Sequence, residues 1–131
     1  MELKTRLKSK KCYCFSGLSY EDCCGIYHQN LSFPATPELL MRSRYTAYAL
    51  NLVDYLIQTT YPSHRHLYKK EEIAHWAMSN TWLKLEICET EKDVVEFKAY
   101  YQNGLKKYVH HERSVFKQQN GIWYYFSGTY F

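Results

Sequence analysis

No stretch of this sequence is apolar for long enough to cross a bilayer, and no apolar segment follows the basic start to make it a secretion signal. A glycine-rich loop that could cradle phosphate is missing, and no nucleophile stands at motif spacing from a base. Charge of one sign is in short supply as well. The net +4 over 131 residues permits an acidic partner without pointing to nucleic acid. Aromatic and basic residues interleave only at the N-terminus, which leaves little to grip a single strand. These absences exclude a membrane span, make nucleic acid a poor fit as a partner, and leave a cytoplasmic protein with reduced thiols as the expectation.

Cysteine is scarce and unevenly placed. Four of the five lie between Cys12 and Cys24, and the fifth, Cys88, sits far away in a strand-like segment. In a reducing compartment such crowding favours a metal site over a disulfide framework. Zinc takes four ligands in a tetrahedron, and thiolates satisfy it without further help. The assigned ligands are Cys12, Cys14, Cys23 and Cys24, with His28 as a substitute at helical spacing from Cys24. The spacing departs from the common Cys-x2-4-Cys knuckle, so a redox dithiol at Cys23-Cys24 stays open. Ser16-Gly17 supplies a turn, Gly25 permits a close chain approach, and Tyr13, Phe15, Leu18 and Tyr20 are expected to shield the sulfurs. A module this short cannot bury a core of its own, and metal binding, about 10–16 kcal/mol in small zinc peptides, could fold it.

Downstream, Asn30, Ser32 and Pro34 mark a linker over 29–35. Thr36-Pro37-Glu38 is a strong helix start, followed by an apolar stripe of Met41, Tyr45, Tyr48 and Leu52 flanked by Arg42 and Arg44. A second helix is expected over Leu52 to Thr59, broken at Tyr61-Pro62-Ser63, and a third from about Lys69 to Met78. After Asn80 the period changes to two. Strands are expected over Trp82 to Glu89, with Leu83, Leu85 and Ile87 on one side, then Val94 to Tyr101, Lys106 to Gln118 and Ile122 to Ser127. Asn103-Gly104 and Asn120-Gly121 are the hairpin turns between the last three. Helices followed by antiparallel strands make an α+β domain, and a twisted sheet wrapped over helices leaves a pocket at its mouth. The fourteen tyrosines, apolar bodies with polar tips, suit the walls of such a pocket.

Two resemblances add to this reading. The run Cys-x-Cys-x-Ser-Gly, then Cys14-x8-Cys23 and Cys24-Gly25, resembles the SEC-C motif, which ends SecA-type translocation ATPases and holds zinc through three cysteines and a final His or Cys. Carried across, the ligands are Cys12, Cys14, Cys23 and Cys24. Tyr13 and Phe15 stand where the motif usually has proline and glycine. In SecA-type proteins the motif contacts the chaperone SecB and anionic lipid, which implies an acidic protein partner here. The second resemblance runs through Met41-Arg42-Ser43-Arg44-Tyr45, Asp54-Tyr55-Leu56, Trp82-Leu83-Lys84-Leu85, Val95-Glu96-Phe97, His111-Glu112-Arg113-Ser114 and Trp123-Tyr124-Tyr125. These segments recur in that order in the YchJ-like family, which joins an N-terminal SEC-C motif to a cone-shaped domain like nuclear transport factor two and the ketosteroid isomerases. Many of its members carry a further SEC-C motif at the C-terminus, absent from this sequence.

The resemblance implies a basic arm and SEC-C module over 1–28, a linker over 29–35, and an NTF2-like α+β domain over 36–131. That domain is a cone of three helices packed on a curved four-stranded antiparallel sheet. It also implies a homodimer through the open sheet face. Along the third strand Tyr108, His110, Glu112, Ser114 and Phe116 face one way, and Val109, His111, Arg113, Val115 and Lys117 the other. Arg44, Tyr48, His111, Glu112, Arg113 and Trp123 are the candidate lining of a ligand pocket, with Arg44 expected to pair with Glu112. Asp54 and His111 are the candidate bases, although Asp54 fits a helix start and His111 an ordinary sheet histidine. No catalytic set stands out. The expected function is a zinc-binding adaptor for an acidic partner. The alternatives are a lyase, an isomerase or a small-molecule binding protein using the cone.

Overall fold

The computed structural model describes residues 10–131. The basic arm expected over Lys4 to Lys11 therefore lies outside the described residues, apart from Lys10 and Lys11. A 3-10 turn, Tyr20–Asp22, leads into helix α1, Cys24–His28; the later helices are α2, Pro37–Leu50, α3, Val53–Gln58, and α4, Lys70–Ser79. Four strands complete the chain: β1, Thr81–Glu91, β2, Val94–Asn103, β3, Lys106–Gln119, and β4, Ile122–Tyr130. The sheet runs β1-β2-β3-β4 with every neighbouring pair antiparallel. The result is the expected α+β arrangement. No helix among the described residues is long and apolar enough to cross a membrane.

Helix α2 begins where Thr36 Oγ1 accepts from the Leu39 amide at 3.2 Å, with Pro37 in the first turn. It stops at Asn51, whose φ of 61° is the left-handed conformation asparagine tolerates better than most side chains. Its buried residues Leu40, Met41, Arg44 and Tyr45 pack with inner residues of the sheet such as Phe97, Ala99 and Tyr125 or share a cavity with them. Arg44 thus sits inside rather than beside the apolar stripe. The segment after α3 joins the free edge of β4: Tyr61 N donates to Tyr125 O, and Tyr125 N to Thr59 O, each at 2.8 Å. That pairing covers an edge that would otherwise present open backbone groups. The Pro62–Leu67 3-10 helix that follows falls where the sequence suggests only a break.

Three bulges decide which side chains face inward. Trp82 pairs with Tyr101 and Lys84 with Tyr100, so Leu83 is the extra residue and Trp82 joins Leu85 and Ile87 on the inner face. Alternation alone assigns Leu83 to that face, and the bulge corrects it. Cys88 is extra in the same way. On β4, Phe126 is extra between the Val115–Ser127 and Phe116–Tyr125 pairs. One hairpin also shifts. Asn103 pairs with Lys106, so the loop is Gly104-Leu105, with Gly104 at φ 64° in its first central position. The other turn is Asn120-Gly121, both at positive φ, as a type I′ hairpin requires.

Candidate metal centre and inner cavity

Cys12 and Cys14 approach from one limb of a short hairpin; Cys23 and Cys24 come from the start of α1. All four are buried, and their sulfurs lie within 4.8 Å of one another. A tetrahedron with metal–sulfur bonds of about 2.3 Å sets its sulfurs about 3.8 Å apart. Cys14 and Cys23 are separated by 3.6 Å, Cys23 and Cys24 by 4.0 Å. A disulfide needs about 2.05 Å, so these are free thiols at coordination distance. The donor set therefore fits a thiolate-bound metal. Its burial argues against the redox dithiol, which needs an accessible sulfur.

The sulfurs compete for protons. Hydrogen bonds with Cys14 and Cys24 hold Cys12 below the ordinary thiol value, and hydrogen bonds with Cys12 and Cys14, together with burial, push Cys24 above it. Burial pushes Cys23 up to about 11. The neighbours can offset thiolate charge. Ser16 Oγ lies 3.2 Å from Cys23 Sγ and Thr46 Oγ1 3.7 Å from Cys12 Sγ. Arg42 on α2 donates through Nη1 to Cys14 O at 2.8 Å and through Nε to Glu38 at 3.0 Å.

His28 has another task in this arrangement. Its Nε2 donates to Ser43 O at 2.8 Å and its Nδ1 accepts from Tyr20 Oη at 2.7 Å. Both ring nitrogens are used, and the ring ties α1 to α2. Burial lowers its pKa, consistent with a neutral ring. The expected cover also differs. Tyr13, Phe15 and Leu18 point to solvent. The thiols instead share one buried cluster with Leu40, Met41 and Tyr45 of α2, and Tyr20 packs against it. At Gly25 a Cβ would lie 2.7 Å from Tyr20 O, so this glycine serves a close approach.

Phe15 carries a φ of 65° at the position where the motif usually has glycine. A left-handed conformation costs a residue with a Cβ roughly 1–2 kcal/mol. Because the ring is exposed, little packing opposes its removal. Phe15→Gly is expected to raise the Tm of the metal-loaded protein by a few °C, partly offset by glycine's greater freedom in the unfolded chain. Calorimetry showing a lower Tm would count against strain at this turn.

The second candidate site is a cavity of about 200 Å³ between α2, α4 and the inner face of the sheet. Arg44, Tyr48 and Glu112 line it, as do His110, Tyr125 and Ser114, which sequence reasoning did not select. Glu112 is buried and receives three hydrogen bonds. His110 Nε2 gives one to Oε1 at 2.8 Å; Ser114 Oγ and Tyr125 Oη give two to Oε2 at 2.6 and 2.8 Å. Burial works to raise this carboxyl, but the hydrogen bonds from His110, Ser114 and Tyr125 outweigh it, and it lies below the usual carboxylate range. Burial and the neighbouring Glu112 charge push the Tyr125 phenol up, so it stays protonated and donates. A carboxylate held by three donors, with its pKa lowered, is a poor general base.

Several expected residues lie elsewhere. Arg44 and Glu112 form no direct ion pair; Tyr125 stands between them, its ring 4.6 Å from the guanidinium carbon and its hydroxyl on Glu112. His111 and Arg113 belong to the outer face, where both hold Glu96, at 2.8 and 3.1 Å. Trp123 lines a separate hollow of about 70 Å³ with Tyr27, Pro34 and Tyr55. Asp54 is exposed and pairs with Lys70 at 2.8 Å. Strand parity is the signal that separates His110 from His111: position 110 shares a face with Glu112 and position 111 does not.

A family model described as the middle NTF2-like domain of YchJ matches residues 36–128. A UPF0225 protein of Haemophilus influenzae is 43% identical over 133 aligned residues, covering 98% of this chain and 83% of its own. A UPF0225 protein of Vibrio parahaemolyticus is 40% identical, covering 93% of this chain and 76% of its own. Among solved structures, the solution structure of a SEC-C motif containing protein from Rhodopseudomonas palustris superimposes with a TM-score of 0.85 at 40% identity, covering 90% of this chain and 96% of that one. The crystal structure of a SEC-C motif containing protein from Psychrobacter arcticus gives 0.80 at 31% identity, covering 93% and 83%.

Proposed function

The chain belongs to the YchJ-like family, and on that premise we propose that it is a zinc-binding adaptor protein of the cytoplasm whose cysteine module docks an acidic partner. The observation that carries this reading is the set of four buried sulfurs at coordination distance. Cys12, Cys14, Cys23 and Cys24 would hold the ion, which supplies a cross-link where the peptide is too short to fold alone. Residues 1–28 then act as the head, 29–35 as the connection and 36–131 as the body. The outward surface of the head supports docking. Tyr13, Phe15 and Leu18 are exposed beside Lys10, which lies over the Tyr13 ring, and Lys11, which holds Gly17 O at 3.0 Å. Apolar anchors with a basic rim suit a carboxylate-rich surface.

Zinc-loaded full-length protein is expected to retain acidic proteins in a salt-sensitive manner, and Lys10→Glu with Lys11→Glu to release them while metal content stays at one ion per chain. A pull-down read by mass spectrometry, with metal analysis on the same samples, checks this. Partners that survive charge reversal would overturn the docking role without touching the metal assignment. Because a metal must displace thiol protons, zinc affinity is expected to fall as pH is lowered, measurable by competition with a chromophoric chelator.

A further inference from the structure

Arg44 is 8% exposed, yet among the described residues only its Nη1 is hydrogen-bonded, donating to Leu56 O at 2.9 Å and Thr59 Oγ1 at 2.7 Å. No described carboxylate lies within ion-pair distance of it. Its Nε and Nη2 have no hydrogen-bond partner among the described residues, and Arg44 lines the cavity. A guanidinium removed from water without an anion is costly. The Tyr125 ring at 4.6 Å answers part of that charge, and Glu112, which takes its hydrogen bonds from His110, Ser114 and Tyr125, makes no ion pair with it.

We propose that this cavity binds a small aromatic monocarboxylate, its carboxylate on the free edge of Arg44 and its ring among Tyr48, Trp76 and Trp82. The planar guanidinium fork matches a carboxylate in two parallel hydrogen bonds. A single negative charge is the most that fits, because among the described residues no lysine and no second arginine lines the cavity and the Glu112 carboxylate already does, so a phosphate dianion would bring charge that nothing opposes. The walls explain the ring. Trp76 and Trp82 meet edge to face at 6.0 Å, and Tyr48 leans on Trp82 at 5.7 Å, so this side of the cavity is aromatic. An engineered cavity of about 150 Å³ accepts benzene; about 200 Å³ here has room for one ring and a short acid arm. Trp76 is 40% exposed and stands at the rim, which supplies a route in.

The proposal is independent of the metal reading, and its test uses the zinc-loaded full chain. Phenylacetate, its neutral amide and inorganic phosphate are titrated while backbone amide NMR shifts are followed. Phenylacetate is expected to saturate with a Kd on the order of 0.1–1 mM, as suits about ten non-hydrogen atoms, and to move the signals of Tyr48, Trp82 and Ala99. Phenylacetamide is expected to bind about tenfold more weakly or worse, and phosphate not to compete. Arg44→Met should abolish the preference for acid over amide. Should that variant fail to fold, Ala99→Leu, which fills the cavity and leaves Arg44 in place, is expected to remove phenylacetate binding on its own. Phosphate binding in preference to phenylacetate, equal affinity for acid and amide, shifts confined to the surface, or undiminished binding to the filled cavity would each overturn the proposal.

Discussion

Cys24→Ser is expected to strip the metal and unravel the chain ahead of α2, with a loss of stability that extends into the body. The size follows from comparing two energies. Metal binding in small zinc peptides is worth about 10–16 kcal/mol, whereas the whole stability of a typical domain is about 5–15 kcal/mol. Cys24 is 1% exposed and belongs to the same buried cluster as Leu40, Met41 and Tyr45. Its loss therefore loosens the apolar layer behind α2 as well as the head. Metal content should fall from one ion per chain toward zero, limited proteolysis should cut between residues 10 and 28, and the Tm should drop. A strong chelator on the unaltered protein should reproduce all three. Zinc-free protein, purified under reducing conditions, that resists proteolysis in this segment would defeat the structural-ion reading.

The contrast between what could and could not be read in advance has physical causes. The cysteine set was legible because four thiols in one short polar run have few alternative explanations. Helix α2 was legible because Thr36, Pro37 and Glu38 act locally, each on the first turn. The bulges at Leu83, Cys88 and Phe126 were not, since an inserted residue changes register without changing composition. The cavity shows the consequence. Arg44, Tyr48 and Glu112 line it as their positions in the sequence suggest, whereas His111 and Arg113 sit on the opposite face from Glu112. His110 shares Glu112's face and lines the cavity, which strand parity alone indicates. The role of His28 was hidden for a different reason: spacing brings it near the thiols, but only tertiary packing shows that Ser43 O and Tyr20 Oη occupy both nitrogens.

Glu112→Ala is expected to be the most damaging single change in the body, and Gly128→Ala to report on the same carboxylate by pressing against it. Alanine at 112 leaves the buried hydroxyls of Ser114 and Tyr125 without their acceptor, and His110 without its anchor. Leaving buried donors without their acceptor costs about 1–3 kcal/mol each, so the two hydroxyls together cost about 2–6 kcal/mol, or on the order of 10–20 °C in Tm for a chain of this size. Gly128 lies across from Ser114 on β4, where a Cβ would stand 2.7 Å from the Glu112 carboxyl carbon and 2.8 Å from Tyr125 Oη. The carboxylate would have to move, at a cost of about 1–3 kcal/mol. The pH dependence has a definite sign. The folded-state pKa of Glu112 is depressed, so its contribution is complete above the unfolded carboxyl value and is lost as pH falls through the lower folded value. Glu112→Gln keeps an oxygen for Ser114 and Tyr125 but cannot titrate. It is therefore expected to cost less than alanine at neutral pH and to flatten the acid side of the stability curve. Chemical denaturation at several pH values measures both effects. If glutamine and glutamate gave the same slope in acid, the carboxylate would not be the ionised acceptor on which the inner face of this sheet is built.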